Sequence, residues 1–69
     1  MRLSARNQLD GTVVRVDHGV VMSTVIIRLA GGQEVVAAIT KDSAEALALA
    51  KGDAVQAVIK ATEVMIAKD

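Results

Sequence analysis

The ten residues Val20–Leu29, VVMSTVIIRL, limit most strongly how this chain can fold. The run is rich in β-branched residues, which favours a β-strand, and it is apolar on both of its faces. Strands of this kind are normally covered on both sides. A domain of 69 residues has too little interior to cover both faces of such a strand. We therefore expect one face to meet another subunit.

The overall composition leads to the same expectation. Apolar residues make up 52% of the chain, and no residue is aromatic. The chain has no cysteine for a disulfide or a zinc site, and its single histidine disfavours a structural metal held by side chains. Oligomerisation is the remaining way for a small domain to bury so much apolar surface.

Charge argues against nucleic acid and membranes as partners. Eight basic residues balance eight acidic ones, and like charges form no run. The chain has neither the apolar core of a signal peptide at its start nor an apolar run of about 20 residues that could span a bilayer. We expect a cytoplasmic protein.

Hydrophobic patterning predicts five strands and one helix. The expected strands are Gln8–Asp17, Val20–Leu29, Glu34–Thr40, Asp53–Ala61 and Thr62–Ala67. The alternation places Thr12, Val14 and Val16 on one face of the first strand. In the fourth strand, it places Val55, Ala57 and Ile59 on one face. Turns are expected at His18-Gly19 and at Ala30–Gln33.

The helix is expected between the third and fourth strands, in the sequence KDSAEALALAKGD. Asp42 is suited to the N-cap, and Glu45 three residues later completes a capping box. Lys51 suits the last turn and Gly52 the position just after the helix. The element order favours a mainly all-β fold, a five-stranded OB-like Greek-key barrel forming a single domain over residues 1–69. An SH3-like barrel is the main alternative, and the position of the helix favours the OB-like fold.

Hydrogen-bond donors collect at the ends of these elements. Hydroxyl, guanidinium and ammonium groups of this kind suit a small anion. Ser43 also lies near a helix N-terminus, where free N–H groups and the helix dipole favour negative charge. Each donor also has a purely structural interpretation, such as capping the helix, pairing with an acid or facing solvent. The candidate donors are Ser4, Arg6, Thr40, Ser43 and Lys60.

Other function classes find less support. His18 is the sole candidate base for a serine nucleophile, and it lies in a glycine turn, so we expect no enzyme. Gly31-Gly32 is typical of a hairpin and not of a phosphate loop. An OB-fold that binds single strands needs a basic groove and aromatic platforms, and this chain has neither. An oligomerisation or interaction module without a specific anion is the main alternative.

Four segments carry a resemblance to a known family. They are LSARNQL at Leu3–Leu9, GTVV at Gly11–Val14, AAIT at Ala37–Thr40 followed by Ser43, and IKAT at Ile59–Thr62. With this spacing, the chain resembles the molbindins, which are free-standing Mop domains. Similar domains form C-terminal parts of molybdate-responsive regulators and of molybdate-transporter ATPases.

The resemblance implies an OB-like fold, assembly as a homo-hexamer built as a trimer of dimers, and storage of molybdate or tungstate at subunit interfaces. It implies no organic cofactor. A second oxyanion site near the three-fold axis would use Gly19 and Val20. The principal site would combine the segment around Arg6 of one subunit with residues of a neighbour. Its expected residues are Ser4, Ala5 through its backbone N–H, Arg6, Thr40, Ser43, Lys60 and Ala61.

Overall fold

Four antiparallel strands and one short α-helix make up the fold over residues 3–69, which the computed structural model describes. The strands form one curled sheet in the order β3-β2-β1-β4, with the helix between β3 and β4 in the chain. The predicted mainly-β fold with a helix at this position is confirmed. None of the helices over these residues is long and apolar enough to cross a membrane. The elements are β1 Asn7–His18, β2 Met22–Leu29, β3 Glu34–Thr40, α1 Lys41–Ala46, β4 Ala54–Ile59 and a 3₁₀ helix Ala61–Glu63.

The core lies on the concave face of this sheet and is small. Its buried cluster consists of Val13, Val25, Ile27 and Ala57, one or two residues from each of three strands. Alternate residues of β3, such as Val35 and Ile39, pack against it half-buried. Alternation in β4 is as predicted, with Ala57 facing inward. A cluster of four side chains leaves most of the apolar residues of the chain outside the core.

A β-bulge in β1 changes which of its residues face inward. Val13 pairs with Ile27 and Arg15 pairs with Ile26, so Val14 is an extra residue in β1. Val13 is buried and Thr12 is exposed, so the predicted inward face of β1 is wrong before the bulge. The extra residue reverses the alternation, and Val16 therefore packs against the core as expected.

The helix starts and ends earlier than the sequence predicted. Thr40 is the N-cap, rather than Asp42, and its side chain accepts a hydrogen bond from the Ser43 N–H. The helix ends at Ala46, and Ala48 follows it with φ of 51°. Gly52 does not end the helix. It lies in the turn before β4 with φ of 94°, where its N–H donates to the Val13 carbonyl at 2.8 Å.

The C-terminal segment forms no strand in this single chain, although a fifth strand was predicted at Thr62–Ala67. After the 3₁₀ helix, residues 64–69 have no regular secondary structure. Met65 and Ile66 are 92% and 90% exposed. A strand requires a neighbour for its backbone hydrogen bonds, and this segment pairs with neither free edge of the sheet. The five-stranded Greek-key closure is therefore not confirmed within one chain.

Candidate anion-binding site

Two basic residues flank the last residue pair at one end of the β1–β4 ladder. The register of this pair ends at Asn7 opposite Ile59, so Arg6 directly precedes the last pair and Lys60 directly follows it. The Ser4–Arg6 segment thus leads into the same end of the strand pair from which Lys60 and Ala61 leave. Arg6 and Lys60 are both exposed, and neither forms an ion pair with any residue between 3 and 69. This end of the sheet thus carries two basic side chains that form no ion pair with the described residues.

Backbone carbonyls at this end are engaged by the chain itself. The Ala5 carbonyl accepts a hydrogen bond from the Gln8 side-chain amide at 2.7 Å, and the Arg6 carbonyl accepts one from the Gln8 N–H at 3.1 Å. On the neighbouring strand, the Lys60 carbonyl accepts a hydrogen bond from the Glu63 N–H at 2.9 Å. Carbonyl oxygens repel an anion, so their engagement leaves mainly donors available to a ligand.

Thr40 and Ser43 form a second group of donors where β3 meets α1. The Thr40 Oγ1 accepts a hydrogen bond from the Ser43 N–H at 3.0 Å and donates one to the Ser43 Oγ at 2.7 Å. The Ser43 N–H is therefore not free for an anion, contrary to the expectation from its place near the helix N-terminus. In this arrangement, the Ser43 hydroxyl keeps its own hydrogen, and it is exposed. The group can donate through that hydroxyl.

The two groups of donors lie at opposite ends of β1. Arg6 and Lys60 adjoin Asn7, the first residue of β1, whereas Thr40 pairs with Met22 beside the last residue, His18. β1 is 12 residues long, the longest strand of the sheet, so the two groups are separated by its full length. No side-chain hydrogen bond or ion pair between residues 3 and 69 joins the two groups. The structure therefore divides the candidate donors of one chain into two separate groups.

The predicted second site falls in the β1–β2 turn. The Gly19 N–H donates to the Met22 carbonyl at 2.8 Å, so this donor is already used within the turn. A Cβ on Gly19 would lie 2.7 Å from that carbonyl oxygen. Glycine is therefore needed here for lack of space, and not because of a positive φ. Val20 is 92% exposed. Gly19 is thus an unfavourable donor to an anion, and a role for Val20 stays a prediction.

Gln8 is the residue at this site that sequence reasoning missed. It lies within the motif LSARNQL, but no function was assigned to it. The available signal was a side-chain amide three residues after Ala5 at the start of a strand, where it can reach back to the backbone. Acidic side chains and His18 form no cluster suited to a metal ion within residues 3–69.

The curled antiparallel sheet with a helix between β3 and β4 places the protein in the class of small OB-like domains. Residues 3–66 match the TOBE domain family, and the chain belongs to that family.

Relatives and a solved structure refine this assignment. The chain is 48% identical over 66 residues to molybdenum-pterin-binding protein 3 of Clostridium pasteurianum, covering 96% of this chain and 97% of the relative. It is 51% identical over 65 residues to the molybdenum transport protein ModE of Herbaspirillum seropedicae, covering 94% of this chain but only 24% of that longer protein. A molybdate-binding protein from Sporomusa ovata superposes with a TM-score of 0.92 at 44% identity, covering 99% of this chain and 100% of that chain. The names of these three proteins describe binding and transport. The family match and these relatives confirm the resemblance to the Mop domain.

Proposed function

We propose that this protein binds molybdate or tungstate at sites shared between subunits of a homo-oligomer, and that it stores or buffers the oxyanion in the cytoplasm. The observation that carries the proposal is the separation of the donors into two half-sites at opposite ends of β1. The names of the relatives supply the chemistry of the ligand.

The donors of the two half-sites match a tetrahedral dianion. Such an ion offers acceptor oxygens only, and charge-assisted hydrogen bonds to it are roughly twice as strong as neutral ones. Arg6 and Lys60 supply these bonds, and hydroxyl and backbone N–H groups complete the shell. A dianion buried at an interface must be fully paired, since its desolvation is costly. The proposed principal site consists of Ser4, Ala5, Arg6, Thr40, Ser43, Lys60 and Ala61.

An inorganic oxyanion fits this chain better than a pterin compound. A pterin ring would gain from stacking on a large aromatic side chain, and the 69 residues include no Phe, Tyr or Trp. The exposed donors at both half-sites are charged or hydroxyl groups suited to oxygen acceptors. We therefore assign the site to the oxyanion itself, without an organic cofactor.

Exposed apolar surface supports the homo-oligomer. Among residues 3–69, five apolar residues are buried, although 52% of the chain is apolar. The remainder includes large side chains that a stable monomer would not leave in water. These exposed side chains are Leu3, Leu9, Val20, Val21, Met22, Val36, Leu47, Val58, Val64, Met65 and Ile66.

A groove on the concave side of the sheet suggests how two subunits join. It has a volume of about 480 Å³, and Val35, Ile39, Val55 and Ile59 are among its apolar lining residues. It lies between β3 and β4, the two edge strands of the sheet. We propose that the C-terminal segment 62–67 of a second copy enters this groove as a fifth strand and closes the Greek-key barrel.

The exposed β1–β2 turn offers a second contact surface for joining such dimers into a hexamer. Val20 is 92%, Val21 69% and Met22 47% exposed, which makes an apolar tip on the hairpin. The alternative function, an interaction module without a specific ligand, uses the same apolar surfaces but gives no role to Arg6 and Lys60. A direct measurement of ligand binding separates these two functions.

Equilibrium dialysis of the purified protein tests the proposal with molybdate, tungstate and, as a control, sulfate. We expect retention of molybdate or tungstate in a fixed ratio to subunits, with little retention of sulfate. A ligand that binds only the assembled native state stabilises it by RT ln(1 + [L]/Kd), about 2.7 kcal/mol at a hundredfold excess over Kd. The melting temperature should therefore rise with molybdate. Equal effects of all three ions would indicate a general ionic effect and contradict the proposal.

A further inference from the structure

We propose that Gln8 is a positioning residue that holds the Ser4–Arg6 segment in the conformation that binds the oxyanion. This inference rests on the proposed function. Gln8 belongs to β1, where its place is fixed by pairing with Val58 of β4. Ser4–Arg6 precedes the strand and has no ladder partner. The two hydrogen bonds from Gln8 are the ones that join Ser4–Arg6 to the rest of residues 3–69.

The side-chain bond of Gln8 fixes the direction of a backbone donor. In a trans peptide, the C=O and the N–H point in opposite directions. Because the Ala5 carbonyl points at the Gln8 amide at 2.7 Å, the Arg6 N–H points away from Gln8. That N–H has no backbone acceptor within residues 3–69. Gln8 thus presents the Arg6 N–H on the side opposite to its own side chain.

Gln8 also lowers the loss of conformational freedom when the ligand binds. A segment without strand pairing samples many backbone conformations, and ordering each residue is costly. Two hydrogen bonds from a residue anchored in the sheet order the segment before the ligand arrives. Gln8 itself is half-buried, as is Ala5, so water competes less for this bond than for a fully exposed one.

Gln8→Met removes the donor and retains the length and volume of the side chain. We expect molybdate affinity to fall roughly 3- to 10-fold, the range for loss of one neutral hydrogen bond. Gln8→Glu, which keeps the shape but cannot donate at neutral pH and adds negative charge, should bind at least as weakly. Gln56→Met is the matched control. Gln56 lies on the same strand pair, and its amide bonds the exposed Asp10 side chain at 2.9 Å, so its loss should not change the affinity.

A double-mutant comparison separates positioning from general destabilisation. If Gln8 acts through the Ser4–Arg6 segment, the double variant Gln8→Met/Arg6→Ala should lose less affinity for molybdate than the product of the two single fold-losses. The losses in Gln8→Met and Ser43→Ala, which lie in different half-sites, should multiply. Equilibrium dialysis with molybdate gives the affinities, and native mass spectrometry checks assembly. Two results would overturn the role of Gln8. One is wild-type affinity in both Gln8 variants. The other is a double variant Gln8→Met/Arg6→Ala whose loss of affinity equals the full product of the two single fold-losses. A wild-type protein that retains no molybdate would instead contradict the proposed function, and this inference with it.

Discussion

His18 Nδ1 lies 2.7 Å from the Oγ of Ser23, and Ser23 is 1% exposed. A serine beside a histidine is the arrangement expected of an activated nucleophile. Here, the hydroxyl faces the core of the sheet, where no substrate can reach it. The hydrogen bond is better explained as structural. The Ser23 hydroxyl is buried among apolar side chains, and the imidazole supplies the hydrogen-bond partner that it would otherwise lack.

This explanation predicts the effect of removing the histidine. In His18→Leu, the Ser23 hydroxyl loses its partner, and we expect a loss of about 1–3 kcal/mol in the free energy of unfolding. Adding Ser23→Ala should restore part of that loss because the unsatisfied hydroxyl is then gone. Thermal or denaturant unfolding of the single and double variants measures these changes in the free energy of unfolding. Equal stability of His18→Leu and the wild type would contradict the role of the hydrogen bond.

The two basic side chains of the first half-site should control affinity without controlling the fold. Arg6 and Lys60 are exposed, so Arg6→Ala and Lys60→Ala should leave the melting temperature of the ligand-free protein nearly unchanged. A charged hydrogen bond contributes about 1.5–3 kcal/mol, so each change should weaken molybdate binding roughly ten- to a hundredfold. Arg6→Lys should restore binding only in part, since an ammonium lacks the planar fork of the guanidinium.

Ser4→Ala is the matched milder variant, because it removes a neutral hydroxyl from the same segment. Equilibrium dialysis of all four variants gives the order of affinities. Wild-type affinity in both Arg6→Ala and Lys60→Ala would show that the site lies elsewhere.

A site shared between subunits predicts complementation between two defective chains. Arg6→Ala damages one half-site, and Ser43→Asp places a repelling charge in the other. Each variant alone should bind molybdate weakly. In oligomers assembled from an equal mixture, half the chains carry an intact Arg6 and half an intact Ser43, so about one site in four should be complete.

Dialysis after joint unfolding and refolding of the two variants measures the recovered binding. The separately refolded variants, mixed only afterwards, are the control. If both half-sites belonged to one chain, joint refolding would recover nothing.

The C-terminal segment should be needed for assembly. Ile66 is 90% exposed within one chain, so Ile66→Asp would cost an isolated subunit little. If the segment enters the groove of a second copy, the buried aspartate should disrupt the oligomer. Ala30→Asp, at the exposed β2–β3 turn, is the control and should leave assembly intact. Native mass spectrometry reads the result, and an unchanged oligomer in Ile66→Asp would refute this use of the segment.

Much of the fold follows from local pattern. The bounds of β3, Glu34–Thr40, are those the sequence predicted, since a uniform apolar run between a glycine turn and a helix leaves little choice. The predicted face of β1 was wrong before the bulge, because alternation assumes a regular strand and the residue type at Val14 does not indicate a bulge. The N-cap was assigned to Asp42. Thr40 is the N-cap because it is the last residue of β3, and its extended backbone is the conformation that an N-cap requires.

Residue types and element ends predicted only the chemistry of the candidate site, and its residue set came from the resemblance. Donor types at element ends predicted an anion, and pairing in the sheet brings Arg6 next to Lys60. What places Thr40 and Ser43 at the far end of β1 is the topology of the sheet, which no local pattern encodes. A site shared between subunits was expected from the resemblance alone, because patterns within one chain do not give the contacts between two chains.

The four-residue core of Val13, Val25, Ile27 and Ala57 has a consequence for the kinetics of folding. So few buried side chains give an isolated subunit little to offset its chain entropy. If the protein is the proposed homo-oligomer, productive folding requires two chains to meet, and that encounter becomes part of the slow step. We expect refolding to follow second-order kinetics, with a half-time that shortens in proportion as the protein concentration rises.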